Sequence, residues 1–349
     1  MICHTTCMPS WPYFWASARN NRKNMPASLL DIAGIRFFRV LTALRADGDR
    51  LAILFYHRVP EDRDALFSGD VGKSLFAAQM AMIRKYFHPL PLTEAVERLQ
   101  RGQLPPAAVC ITFDDGYRDN YENAAPILQA EGIPATVFVA VSYLDKGIMW
   151  NDIIIEAIKR TQKTEIDLAA PAEGNWKIAS DADRKTLIET LLAKGKYLPQ
   201  AARNEFARQI AEACAVEPPT DLMMSEAQVR GLQDFNIEIG GHTCTHPILK
   251  TLTDTEAQRE IAEGKERLEA ISGYRLSSFA YPNGNPGRDY TERDASLVRK
   301  CGFRHAVSTE WGVADRSTDI YQIPRLITWP ARPLRQGITI LRELARRVR

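Results

Sequence analysis

Two carboxylates stand side by side in the stretch ITFDDGYRDNYENAAPIL, residues 111–128, behind an apolar run and directly before a glycine. Adjacent aspartates repel, and neither is at ease beside an apolar interior. A bound cation is the obvious group to neutralise Asp114 and Asp115. Further ligands for it stand in GGHTCTHPIL, where His242 and His246 lie four apart just past an apolar segment. Two imidazoles at that spacing can reach one metal. With one aspartate they make an Asp-His-His set, and three protein ligands leave a position open for water, the catalytic rather than structural arrangement. The plainer reading is of two loop histidines that bond to backbone. Cys244 between them need not point the same way and is read as filler. Cys3-His4 with Cys7 has no second ligand pair and is read as a loose tail. His88, in a loop before Pro89, is assigned no role.

The elements that must position these groups alternate. LAILFYHRV, residues 51–59, reads as a buried strand ending at Tyr56-His57, and AAVCITF as the strand that ends on the paired aspartates. PATVFVAV, IEIGGHT, SSFAYPNG, HAVST and YQIPRLIT read as further strands. Helices are expected between them: two pieces over residues 74–102, one ending at Gly132, one opened by a Ser225/Gln228 capping box, a strongly periodic one over 253–273, and one closed by Gly302. Residues from about 152 to 222 turn polar and helical and read as an insertion with a loop near 170–174. Strand–helix alternation with unusual polar residues at strand ends is the pattern of a (β/α) barrel, whose reactive groups sit at the C-terminal ends of its strands.

Three segments follow: residues 1–48, a tail and an amphipathic helix; 49–330, the barrel with its insertion; and 331–349, a basic helix. Lys and Arg number 45 against 43 Asp and Glu, a formal net charge of +2, so charge gives no reason to expect a nucleic-acid partner. The six cysteines are irregularly spaced and read mostly as free thiols in a reducing compartment. No clear signal peptide is expected at the start, Met25 is an alternative first residue, and no run of about 18 apolar residues suggests a spanning helix.

TFDDG, residues 112–116, and His242-Thr243-Cys244-Thr245-His246 resemble, in order, the first two motifs of the polysaccharide deacetylases, carbohydrate esterase family 4, over roughly residues 51–328. The resemblance implies a distorted (β/α)7 barrel and metal-dependent removal of N- or O-acetyl groups from sugars. By it, Asp115, His242 and His246 are the metal ligands and Asp114 is the catalytic base. The third motif departs from the family. AYPNG has Ala280 where an arginine orients the base, followed by Tyr281, a candidate substrate contact. Arg325, near the end of a late strand, is either the replacement guanidinium or a surface ion pair. The family's late general-acid histidine is also missing. His305 begins a strand and should face the wrong rim. His57 ends the first strand, next to the last in a closed barrel, and is favoured as the acid; the exopolysaccharide-deacetylase branch has a Tyr-His at this point too.

The implied reaction is hydrolysis of an N-acetyl group on an amino-sugar glycan. One divalent metal, Zn2+ by preference with Co2+ or Ni2+ open, holds the site. The backbone N–H of Tyr117 is the candidate oxyanion donor, and Trp150 is either a sugar platform or a core residue. Hydrolysis of another C–N bond, such as a formamide, and a silent glycan-binding barrel stay open as alternatives. The expected location is cytoplasmic. Basic amphipathic ends, residues 26–46 and 331–349, suit the inner face of the plasma membrane unless both pack on the barrel.

Overall fold

The structure, a computed structural model, describes residues 50–346 apart from 63–65, 67–69, 146, 169–171 and 329–330. The N-terminal helix expected over 26–46 and the cysteines Cys3 and Cys7 lie outside the described residues. The described residues open with β1 (Leu51–Tyr56), α1 (Lys73–Tyr86), β2 (His88–Pro89), α2 (Leu92–Arg101) and β3 (Ala108–Phe113). A π-helical turn at Asn120–Ala124 leads into α3 (Ala125–Glu131), then β4 (Ala135–Val139). The inserted segment carries α4 (Trp150–Arg160), β5 (Glu165–Leu168), β6 (Gly174–Lys177), α5 (Asp181–Gly195) and α6 (Gln200–Cys214). The remainder is α7 (Glu226–Gly231), β7 (Ile237–Gly241), α8 (Asp254–Ser272), β8 (Ser278–Ala280), α9 (Glu292–Lys300), β9 (His305–Trp311), β10 (Ile323–Ile327) and α10 (Pro333–Ala345).

Seven parallel strands close on themselves in the order β1, β10, β9, β8, β7, β4, β3, with β3 pairing back to β1. This is the (β/α)7 barrel. Strand alternation decides what faces its interior. Leu51 and Ile53 of β1, Cys110 of β3, Phe138 of β4 and Val307 of β9 form one apolar cluster, and α2 seals it with Leu92, Ala95, Val96 and Leu99. The opposite faces, with Leu54, Ile111 and Val137, join the larger core under the surrounding helices. The inner set continues along β3 from Cys110 through Thr112, which carries Asp114 to the open end just past the strand. The capping boxes at Ser225–Gln228 and Thr253–Glu256 form as their sequences require.

The insertion has its own core, built on Ile154, Ile158, Leu187, Leu191, Phe206 and Ile210. It differs from the expected all-helical segment in one respect. β5 and β6 form an antiparallel hairpin, with Ile166 opposite Trp176. Only Ile166 and Leu168 of β5 are buried, a four-residue alternation too short to stand out in sequence.

α10 packs on the barrel, the alternative left open for the basic C-terminal end. Its Ile340, Leu341 and Leu344 are buried against α1 and β1, so that apolar face is spent on the barrel. Arg342 and Arg346 stay exposed. Among the described residues, no helix is long and apolar enough to cross a membrane.

Candidate active site

Asp114 follows the end of β3, where its N–H still donates to the carbonyl of Tyr56 at 3.0 Å. Its carboxylate is 3% exposed. Arg325 of β10 grips it with both guanidinium nitrogens, Nη1 to Oδ1 and Nη2 to Oδ2, each at 2.8 Å. The same guanidinium donates from Nε to the carbonyl of Ser308 at 2.8 Å and lies over the Phe55 ring at 4.3 Å. Burial alone would push the Asp114 carboxyl up. The fork of Arg325 outweighs it and holds the carboxyl below its ordinary range, so the group is an anion at neutral pH. Of the two readings of Arg325, the structure shows the replacement guanidinium. It lies inside the barrel, fully buried, and not in a surface pair.

Asp115 turns the other way because its backbone is left-handed, φ 78°. Thr243 and His246 are left-handed too, at φ 63° and 54°. Three non-glycine residues in this sparsely populated region at one place indicate backbone held in an unfavourable form by the site around it. Gly116 follows at φ 92°, and a Cβ there would come within 3.1 Å of Val139. The turn after the aspartates therefore needs glycine on two counts.

The Nε2 atoms of His242 and His246 lie 3.4 and 3.3 Å from Oδ1 of Asp115. Two ligand atoms each about 2.0–2.1 Å from one tetrahedral ion would stand about 3.3–3.4 Å apart. Asp115 Oδ1 is buried without a hydrogen-bond partner, a cost that a cation would remove. His242 is locked by a contact of Nδ1 to the carbonyl of Ala280 at 2.7 Å, which leaves Nε2 for the ion. The donor set, the orphaned oxygen and the spacing fit a divalent metal. Thus Ala280, the residue that departs from the arginine motif, serves through its backbone.

A cavity of about 320 Å³ opens over this centre, between the barrel rim and the insertion. His57 reaches it from the end of β1, with Asp114, Asp115, His242 and His246 on the floor. His305 lies at the N-terminal end of β9, 2% exposed, away from the cavity. Tyr117 donates its hydroxyl to Asp152 at 3.1 Å. Bonds on either side, Arg118 N–H to Leu222 and Met224 N–H to Gly116 O, leave the Tyr117 N–H pointing away from Met223.

Tyr281 corrects an expected contact, and Trp150 takes the core alternative. Tyr281 does not reach the cavity. It is fully buried, stacked on Tyr290 with centroids 3.7 Å apart, and donates its hydroxyl to the carbonyl of Tyr321. One residue beyond β8 and its inward Ala280, it falls on the outer face. Trp150 belongs to the insertion core and only borders the cavity. A Cβ on Gly195 would come 2.5 Å from its ring, and the Arg203 guanidinium lies 5.3 Å over it. With 8% of its surface exposed and Arg203 over its ring, it offers no open platform for a sugar. Asp152, pushed up to about 7 chiefly by burial, and Asn283 also line the cavity. Sequence reasoning missed both, although Asn283 stands in the AYPNG segment.

Comparison with known proteins matches the sequence profile of polysaccharide deacetylases to residues 101–306, more than half of the chain. The chain belongs to the polysaccharide deacetylase family. YxkH of Bacillus subtilis, provisionally named a polysaccharide deacetylase, is 23% identical over 283 residues, covering 80% of this chain and 72% of that one. A poly-beta-1,6-N-acetyl-D-glucosamine N-deacetylase of Staphylococcus aureus is 30% identical over 139 residues, only 37% of this chain and 48% of its own. The deacetylase PplD of Streptococcus pyogenes, solved with acetate, shares the fold at a TM-score of 0.56 and 17% identity, covering 83% of this chain and 98% of PplD. This polysaccharide deacetylase is therefore a hydrolase of a metal-dependent family, and its Asp-His-His cluster is the one group of that kind among the described residues.

Replacing Arg325 by Met should destabilise the protein by roughly 3–5 kcal/mol, the usual cost of stripping one partner from a buried pair. Arg325→Lys keeps the charge but not the fork and should recover only part of it. Denaturant melts of the three proteins check this. Equal stability in all three would show that the pair carries nothing.

Proposed function

We propose that this polysaccharide deacetylase is a zinc enzyme that removes N-acetyl groups from an N-acetylglucosamine-containing glycan. The observation that carries this is the Asp115–His242–His246 triad at 3.3–3.4 Å spacing beside a carboxylate held ionised by Arg325. The N-acetylglucosamine part rests on the family and on the named activity of the S. aureus relative.

The ion that Asp115, His242 and His246 would hold supplies a Lewis acid for the acetyl carbonyl and lowers the pKa of a water. Asp114 takes the proton of the attacking water, and Arg325 keeps its carboxylate aimed and charged. The Tyr117 N–H is the donor for the developing oxyanion. His57, just past the end of β1 on the cavity wall, gives the proton that lets the sugar nitrogen leave as a neutral amine. Acetate and a free amino sugar result. Mass spectrometry of β-1,6- and β-1,4-linked N-acetylglucosamine oligomers tests this: each event removes one acetyl, and a chain that leaves both oligomers intact contradicts the reading.

The acid role of His57 has its own signature. His57→Ala should lower turnover on the amide by about 10²-fold or more. An aryl acetate, whose leaving group needs no proton, should be affected far less. Equal losses on both substrates would remove His57 from the leaving-group step.

Peripheral contact with the inner face of the plasma membrane is part of the same proposal, supported by Arg342 of α10 and Arg346 just past it, both exposed and sharing the single carboxylate of Glu343. Such contact is electrostatic and weakens with salt. Flotation with anionic liposomes should show binding at low salt and release at high salt; no flotation at either salt contradicts it.

A further inference from the structure

The insertion contributes a buried cation that the chemistry above does not use. Arg203, on the first turn of α6, is 3% exposed and lines the cavity that His246 and Lys196 also line. The face of its guanidinium rests on Trp150 at 5.3 Å. Its Nε has no hydrogen-bond acceptor, and among the described residues no carboxylate stands within ion-pair distance. Burial works against the charge and lowers its pKa, yet a guanidinium does not give up its proton in a protein. Its charge bears on Tyr143 and His246, which places it near the metal centre.

The acids around it are committed elsewhere. Glu260 accepts from the N–H groups of Cys244 and Thr245 and from the Thr245 hydroxyl. Glu156 is paired with Lys159 and Arg160. Asp152 is occupied by Tyr117. Lys196, also on the cavity wall and 6% exposed, has one carboxylate contact, Asp289 at 3.4 Å. A buried, unpaired guanidinium is costly, and its planar fork of donors matches a carboxylate or a phosphate. We propose that Arg203 binds an anionic substituent, carboxylate or phosphate, of the substrate glycan, with Lys196 a second cation on the same cavity wall, so that the preferred substrate carries negative charge close to the acetylated amine.

This rests on the glycan reading above, so the test reads binding rather than turnover. Zinc-loaded protein is titrated calorimetrically with N-acetylglucosamine 1-phosphate, with a glucuronate–N-acetylglucosamine disaccharide, and with the neutral N-acetylglucosamine dimer. At least one anionic ligand should bind tighter than the neutral one, and which one does identifies phosphate or carboxylate as the source. Arg203→Gln should weaken that ligand about tenfold or more, the scale of a charge-assisted bond, and leave the neutral dimer unchanged. Arg203→Lys should recover part of the loss. Lys196→Gln, which leaves the Trp150 stack intact, should weaken the anionic ligand selectively as well. Equal affinity for all three ligands, or equal weakening of all three in Arg203→Gln with Lys196→Gln silent, would show that Arg203 only stacks on Trp150, and the proposal fails. Acetate release from neutral oligomers without any anion preference would sink this inference and leave the proposed function standing.

Discussion

Asp114→Asn is expected to lower turnover by about two to four orders of magnitude, the contribution of a positioned base, while metal content stays near that of the native protein. The amide keeps the size of the carboxylate but cannot take a proton from water. It also sets an NH2 against the donors of Arg325, which is fully buried and loses its counter-charge. The variant should therefore melt at a lower temperature, and activity must be compared per folded molecule. Steady-state kinetics with metal analysis on the same sample checks the outcome. Native turnover in folded Asp114→Asn would remove Asp114 as the base.

Asp115→Asn is expected to fail differently. Asparagine tolerates the left-handed backbone found at this position, so the turn survives. The anionic ligand between the two imidazoles is lost, and with it the charge that favours a divalent ion. Metal occupancy at about equimolar zinc should fall well below one per chain. Activity should fall by about three orders of magnitude or more, since Lewis-acid stabilisation contributes several kcal/mol. Excess zinc should restore part of it in Asp115→Asn and none in Asp114→Asn. If the two variants lose metal and activity alike, the division of labour between the neighbouring carboxylates is wrong.

The barrel and the floor of its site were legible because they depend on local pattern. Short apolar runs ended in polar residues, and period two put Asp114 on the inner face with Cys110 and Thr112. The grip of Arg325 on Asp114 was open in sequence, since 211 positions separate the pair and only the closure of β10 onto β1 brings them together. Tyr281 was named for its place after the arginine position of the third motif, whereas one residue past Ala280 the chain faces outward and stacks on Tyr290. Nothing marked Arg203. Its position in the cavity comes from the fold of the insertion over the barrel rim, and a single arginine on an amphipathic helix reads as solvated until that packing is seen. The short β5–β6 hairpin was hidden in the same way, by tertiary burial of Ile166 and Leu168.

The most direct test of metal-dependent deacetylation is acetate release from an N-acetylglucosamine oligomer by one preparation in three states: as purified, after removal of metal by chelation and desalting, and after return of one equivalent of zinc. The expected result is release in the first state, background in the second and recovery in the third, with one divalent ion per chain by elemental analysis and no recovery in a His242→Ala, His246→Ala double variant. Undiminished acetate release from protein shown to hold no metal would contradict it.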